Sequence, residues 1–441
     1  MLEKYFELKK HQTDTRQEFI GGSTTFLTMA YILFVQPTVL SAAGMDFGAV
    51  MVATCISSSI AILVMGLYAR YPIALAPGMG QNFFFAYTVV LTLGVSWQTT
   101  LGVVFIAGAI FILLSFFGIR EKIINAIPDS LKYAIAVGIG LMITLVGMEW
   151  AGLVVDDPVL LVSLGDFSEP TTQLALLGLV VTSVLLVKKI RGAMLIGIIF
   201  TTIIGVFIGQ IPYSGIISLP PSLEPTLFKL DILGALQLDL ILIVFTFLIL
   251  DLFDTIGTLI GVASEADLLK NGKLPRAKKA LLSDAIGTVV GAICGTSTVT
   301  SYVESAAGVA SGARTGLANI FTALLFIIAL FFYPLIKMIG GGIEVSEGVL
   351  HYPAIAPILI LVGTYMIKGV RLIPWDDLSE SIPAFITIII IPFSFRITEG
   401  IAFGFISYVL LKVFAGKSRD VPVLMWIFAL IFVLRYIFIG T

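Results

Sequence analysis

Charge is scarce in this chain. Of its 441 residues only 12% are Asp, Glu, Lys or Arg, while 58% are hydrophobic. No soluble domain hides that much apolar surface, so the fold class expected is an all-α polytopic membrane protein. The net charge of −2 offers no argument for nucleic acid as a partner. Cysteine and histidine are nearly missing, two of each. Cys55 and Cys294 lie in apolar or small-residue runs and read as buried thiols rather than a disulfide framework. His11 and His351 fall outside the apolar runs, which excludes a His/Cys metal cluster. There is no Walker A loop, no GxGxxG after a strand and no GxSxG elbow. No metal or organic cofactor is therefore expected, and an enzyme is not. Residues 1–18 are polar and lead into a long span, unlike a cleavable signal peptide.

What is abundant is apolar sequence long enough to cross a bilayer, for which about 20 residues suffice. Spans are expected near residues 20–40, 49–68, 101–117, 131–153, 173–187, 194–211, 238–263, 280–294, 317–338, 353–370, 382–395 and 399–415. A last apolar run, 421–439 with Arg435 inside it, fits either a further span or an interfacial helix. Two further stretches are too irregular for one plain helix. In 71–91, Pro72, Pro77, Gly78 and Gly80 predict an extended segment to about Met79 and a half-helix from Gln81. In 295–316, Gly, Ser, Thr and Ala surround Glu304 and predict a second extended-then-helical half-span. Broken backbone at membrane depth survives only where protein or a cavity satisfies it.

The halves repeat. Pro128 and Gly138 recur 225 residues later as Pro353 and Gly363, and the same shift carries 71–91 onto 296–316. Seven spans per unit is odd, so the second unit must be inverted. The expected divisions are 1–226, spans 1–7; 227–416, spans 8–14; and 417–441, a C-terminal hydrophobic extension. Paired interrupted segments point to a transporter's midplane site. With the N-terminus cytoplasmic, the basic clusters at 120–122, 188–191 and 270–279 fall on one side and the acidic 156–169 loop on the other, in keeping with the positive-inside rule. The expected location is the cell membrane, with several passes through the lipid bilayer.

The chemistry lies in acids within the apolar spans. Asp251 and Asp254 sit near the middle of the eighth span, three residues apart on one helical face. A charge at bilayer depth costs at least ~2.5–3.5 kcal/mol, so such residues face a protein interior or a wet cavity. A role in helix packing or gating is the plain alternative. Glu304 lies in the other broken stretch, mid-segment, where a cap is implausible. The two half-helices would aim their positive N-terminal ends at the same centre. Three acids there would repel an anion. They suit a neutral planar ring with N–H donors, and Asn82 both donates and accepts beside them. Asn82 serves equally as a cap for its half-helix. Phe83, Phe84 and Phe85 offer either a stacking surface or packing. Desolvation favours a protonated carboxyl group, which suits one of the acids to carrying a proton. The reading is proton-coupled uptake of a polar heterocycle.

The motifs ALAPGMGQNFFFAY (74–87), DLFDTIGTLIGVA (251–263) and TSTVTSYVESAAGVASGARTG (296–316) resemble those of the AzgA-like purine permeases, in the nucleobase transporter superfamily with the uracil-transporter fold. The resemblance implies fourteen spans in two inverted seven-span repeats, a core and a gate domain, proton symport of hypoxanthine, guanine or adenine, and a homodimer. It places the family's third-span asparagine at Asn82, its eighth-span aspartates at Asp251 and Asp254, and its tenth-span glutamate at Glu304. The APGMG-x-N form is similar to the guanine/hypoxanthine branch. Gln81 and Gln36 depart from the pattern. Glu304 and Asp251 are expected to hold the ring, with Asp254 carrying the proton or pairing with the first span. Asn82, with Gln81 and Phe83 beside it, is expected to tune specificity; Asp251 and Glu304 are also candidates for proton coupling. The alternatives are a permease for adenine or another nucleobase such as xanthine or uracil, an anion transporter on the same fold, and a membrane receptor or enzyme.

Overall fold

A computed structural model describes residues 2–117, 127–266, 268 and 274–438. The expected basic residues Arg120, Lys122, Lys270 and Lys273 lie outside the described residues. Eight helices among the described residues are long and apolar enough to cross a membrane, and three shorter apolar helices accompany them.

After a short α1 (Leu2–Phe6), the first span is α2 (Thr15–Met29) and α3 (Ile32–Ala42), interrupted at Ala30 and Tyr31. α4 (Phe47–Val64) returns. The third span is β1 (Leu75–Pro77), α5 (Met79–Phe83) and wider helical turns to Thr92. α6 (Trp97–Phe117), α7 (Asp129–Trp150), α8 (Pro170–Val187) and α9 (Ala193–Phe207) complete the first half, with a hairpin of β2 (Val154–Asp157) and β3 (Leu161–Leu164) after α7. The second half begins with α10 (Ile232–Ala235) and runs α11 (Ile241–Glu265), α12 (Ala277–Cys294), β4 (Val299–Ser301), α13 (Ser305–Ala310), α14 (Leu317–Ala329) and α15 (Tyr333–Gly340). It continues with hairpin β5 (Ile343–Ser346) and β6 (Val349–His351), then α16 (Ala356–Met366), α17 (Leu378–Ser394), α18 (Ile397–Phe414) and α19 (Val423–Phe438).

The two expected broken segments meet. β1 pairs antiparallel with β4, Leu75 opposite Ser301 and Pro77 opposite Val299. The amide of Gly78 donates to Thr298 O at 3.0 Å and that of Tyr302 to Ala74 O at 2.9 Å. Strands crossing at membrane depth thus satisfy each other, as lipid cannot. Small residues let the surrounding helices close in: a Cβ on Gly316 would fall 1.9 Å from Gly66 O. Glu18 pins the first span to the start of α14, its buried carboxylate accepting the amides of Arg314 at 3.0 Å and of Thr315 and Ala318 at 3.1 Å. Cys55 and Cys294 are free and buried.

These elements form two bodies. α2–α6 and α11–α15 pack around the crossed strands as a core, and α7–α9 and α16–α18 pack as a gate. The 225-residue shift carries α2 onto α11, β1 to within one residue of β4, and α7 onto the start of α16. It fails beyond that point. α7 packs on α16 and α17, and α16 packs on α7 and α8, so α17 is the counterpart of α8. The β2–β3 hairpin lengthens only the first-half connection and breaks the register.

α19 runs along α18 in the opposite direction. Phe428 and Phe432 pack on Phe405, and Tyr436 on Phe403. Arg435 Nη1 lies 2.6 Å from Glu399 Oε1, and the Tyr436 hydroxyl donates to the same carboxylate. The opposite face, with Trp426, Leu430 and Leu434, is exposed and apolar, as lipid requires. Arg435→Met strands a largely buried carboxylate and is expected to cost about 3–5 kcal/mol. Arg435→Met/Glu399→Leu should recover most of the loss in thermal stability in detergent; a double variant no more stable than the single would show that the pair does not hold α19.

At the other end of the gate, Asp377 caps α17. It accepts from Ser379 N at 3.0 Å and Oγ at 2.6 Å and pairs with Lys417 at 2.8 Å. Lys417 first, then Ser379, holds its carboxyl well below the usual carboxylate range. A depressed folded-state pKa gives stability that is present above the unfolded value of about 3.9 and lost as pH falls below it. Asp377→Asn is accordingly expected to lower the melting temperature at neutral pH and to flatten the acid limb below about pH 4.

Candidate functional site

The site forms where the chain breaks. β1 and β4 end at the starts of α5 and α13, and the polar side chains of these breaks face α11 and the interruption of the first span. Gln81, in α5, donates from Nε2 to Asp254 Oδ2 at 3.3 Å, and Thr300 Oγ1 donates to the same oxygen at 3.1 Å. Asp254 of α11 is thereby tied to both broken segments. Glu304 precedes α13 in the N-cap position, its side chain making no cap bond. Its Oε1 accepts from the Tyr31 hydroxyl at 2.6 Å. Tyr31 stands in the gap between α2 and α3, so the interruption of the first span exists to deliver a phenol to the tenth. Tyr302 lies 6.5 Å from Tyr31, ring to ring, and its hydroxyl donates to Pro77 O at 2.5 Å. Both phenols are within electrostatic reach of Glu304 and Asp254.

Behind this pair of carboxylates runs a buried polar chain. Gln36 Nε2 donates to Thr296 Oγ1 at 2.8 Å and Ser297 Oγ at 3.1 Å, and Ser297 donates to Asn82 Oδ1. Asn82 therefore lies inside its half-helix bonded across to the tenth span; it does not cap. Gln36 Oε1, Gln81 Oε1, Asn82 Nδ2, Thr298 Oγ1 and Ser301 Oγ are buried without a partner among the described residues. Native interiors leave few such atoms. Their concentration around one break marks hydrogen-bonding capacity held for a polar guest.

Two expected site residues are placed differently. Asp251 is fully buried one turn before Asp254, on the face of Thr255, whose hydroxyl donates to Asp284 at 2.6 Å. Three residues turn a helix by about 300°, leaving the two aspartates about 60° apart, and only Asp254 is exposed at the break. Phe83 is wholly buried, 5.6 Å from Tyr87 and 6.4 Å from Trp150, while Phe84 packs on Phe247. These rings pack; they present no open face to a ligand here. Tyr31 and Thr300 carry no sequence signal of their own: no Pro or Gly marks the break at Tyr31.

The break opens to one side. Below Asp254, the α11 positions Gly257 and Gly261 are exposed, with nothing among the described residues within 4 Å of where their Cβ atoms would stand. Tyr365 of α16 faces Glu304 electrostatically from the gate. The other side is shut. Tyr87 meets Phe395 at 6.4 Å, the Thr88 hydroxyl donates to Phe395 O, and Thr246 and Thr398 are hydrogen-bonded at 3.1 Å. These contacts join core to gate. Among the described residues no group of His, Cys, Asp and Glu could hold a metal ion.

Comparison with known proteins agrees with this geometry. A family model described as Permease family (Xan_ur_permease) matches residues 16–403. The adenine permease AdeP of Escherichia coli is 43% identical over 442 residues, covering 100% of this chain and 97% of its own. The guanine/hypoxanthine permease PbuG of Bacillus subtilis is 43% identical over 450 residues, covering 99% and 100%. Among solved structures, the transmembrane domain of the cyanobacterial bicarbonate transporter BicA superposes with a TM-score of 0.66 at 17% identity, over 89% of this chain and 97% of that one. That likeness speaks for the fold alone: fourteen spans in two inverted repeats.

Proposed function

The chain belongs to the Xan_ur_permease family of permeases, and within it we propose that the protein imports purine nucleobases, guanine or hypoxanthine first, by proton symport across the cell membrane. The observation that carries the reading is Glu304 and Asp254 held at the junction of two half-helices, among buried amides and hydroxyls with unused hydrogen-bonding capacity. Carboxylates at that point accept the N–H groups of a flat neutral ring and can be neutralised by a proton during transit. Relatives named for guanine/hypoxanthine and for adenine support a purine.

Glu304 is the residue we assign to the ring, with Asp254 beside it carrying the proton. Asn82 and Gln81 act on specificity through the atoms they leave unpaired, and Asp251 supports α11 from within. With the N-terminus cytoplasmic, the opening at Gly257 and Gly261 faces the cytoplasm, so the structure is inward-open, and alternating access follows from the gate rocking against the core. A homodimer in the membrane belongs to the same proposal, on the strength of the family resemblance. An anion, the cargo of BicA by name, is disfavoured by two central carboxylates.

Adenine is the second reading, because the adenine permease AdeP is as similar to this chain as PbuG is. Competition decides between them. Labelled hypoxanthine taken up by purine-uptake-deficient cells should be displaced by guanine at least tenfold more effectively than by adenine or uracil. Displacement by adenine alone would move the assignment to the adenine branch.

A further inference from the structure

A cavity lies on the closed side. It has a volume of about 230 Å³ and is lined by Glu149, Trp150, Gly348, Val349, Leu350 and Tyr352. By the order of the spans, Trp150 at the end of α7 and Gly261 near the end of α11 are at opposite faces, so this cavity is on the side from which a substrate would be imported. Tyr352 is partly exposed and lies 4.4 Å, ring to ring, from the buried Trp150, locked by the amide of Tyr352 donating to Trp150 O at 2.8 Å. Glu149 is exposed beside them and forms no ion pair among the described residues. Asp156 adds a like charge close by, so an anion is repelled. A ring face stacked on aromatic side chains gains about 1–3 kcal/mol for a base in other proteins, and a carboxylate accepts ring N–H groups.

The cavity is also connected to the central site. The Trp150 indole lies 6.4 Å from Phe83, the residue after Asn82. Phe83 in turn meets Tyr87, and Tyr87 meets Phe395, so the wall of the cavity is part of the aromatic seal between core and gate.

We propose that this cavity is an outer loading subsite, where a neutral planar heterocycle with ring N–H groups docks against Tyr352, backed by the buried Trp150, and donates to Glu149 before the seal parts. The inference rests on the purine-uptake reading above and extends it to a second position on the route. A base held there is one ring away from Phe83, and separation of core from gate would release it toward Asn82 and Glu304.

Equilibrium binding of labelled hypoxanthine to the purified full chain tests this. The wild type is expected to bind two molecules per chain. Glu304→Ala should retain one weaker site, and Glu304→Ala/Glu149→Ala should retain none. In cells, Glu149→Gln should raise the KM for hypoxanthine uptake about tenfold with the maximal rate within about twofold, as expected for one hydrogen bond to a charged group lost outside the translocation site. Glu149→Gln is nearly isosteric, so a normal maximal rate shows that the chain folds. No residual binding in Glu304→Ala, residual binding that survives in the double variant, or displacement of it by tetramethylammonium would each overturn the subsite. If wild-type protein neither bound nor transported any base, the purine reading itself would fall first. Uptake that persists while Glu304→Ala binds nothing would remove only the loading site.

Discussion

Glu304→Ala is expected to lower hypoxanthine uptake by at least about a hundredfold while leaving the protein in the membrane. The carboxylate would accept two ring N–H donors, and each hydrogen bond to a charged acceptor contributes about 1.5–3 kcal/mol when its partner would otherwise be left buried and unmatched. Two such bonds at the lower bound already exceed a hundredfold, since about 1.4 kcal/mol is a factor of ten. The only described side-chain bond to the Glu304 carboxylate is from Tyr31. Tyr31→Phe should therefore retain the fold and cut uptake less, roughly tenfold, by letting the carboxylate swing out of position. Glu304→Gln keeps an acceptor for Tyr31 but carries an N–H₂ where the ring needs an acceptor, so it should resemble alanine in uptake and the wild type in thermal stability. Initial rates of labelled hypoxanthine uptake, normalised to membrane-resident protein, give both comparisons. Near-normal uptake by Glu304→Ala would remove this residue from the site.

The second large effect concerns energy coupling. Asp254→Asn is expected to abolish accumulation against a gradient while sparing exchange of external for internal base. One proton moving with each base across about 100 mV supplies about 2.3 kcal/mol, which corresponds to about fiftyfold accumulation. An asparagine preserves acceptance from Gln81 and Thr300 through its carbonyl oxygen but cannot be charged and discharged. In proteoliposomes with an imposed proton gradient, the wild type should concentrate hypoxanthine many-fold and Asp254→Asn should equilibrate near a ratio of one. Concentration by the variant equal to the wild type would transfer the coupling role to another group.

The architecture was readable in the sequence because its causes are strong and local. Pro72, Pro77 and Gly78 forbid a continuous helix, and the Ser/Thr run 296–301 is too polar for lipid, so both breaks were visible, and their common offset joined them. The pairing of β1 with β4 is what that offset becomes in three dimensions. The later spans are each visible in the sequence, but their correspondence is hidden: the β2–β3 hairpin shifts the register after α7, and only packing shows that α17 answers α8.

The site was legible in its residue types and less so in its orientation. Glu304 and Asn82 lie where the breaks were expected. The choice between Asp251 and Asp254 turned on about 60° of helix rotation, which three-residue spacing does not fix when both ends of α11 are free to roll. Tyr31 was hidden because a helix interrupted by tertiary demand, here the need to reach Glu304, leaves no breaker residue behind. Gln36 stood out as a departure, and its bonds to Thr296 and Ser297 show the reason: the longer amide reaches across to the tenth span.

The central claim is that a purine sits beside Asp254 in a crevice open along Gly257 and Gly261. Substrate protection of a single introduced thiol tests it most directly. In a Cys55→Ala/Cys294→Ala background, Gly257→Cys places a side chain where nothing among the described residues lies within 4 Å, and a membrane-impermeant thiol reagent supplied from the cytoplasmic face should label it. The account predicts that hypoxanthine slows this labelling several-fold and that the slowing disappears in Glu304→Ala. Labelling that is indifferent to hypoxanthine, or that proceeds only from the external face, would contradict it.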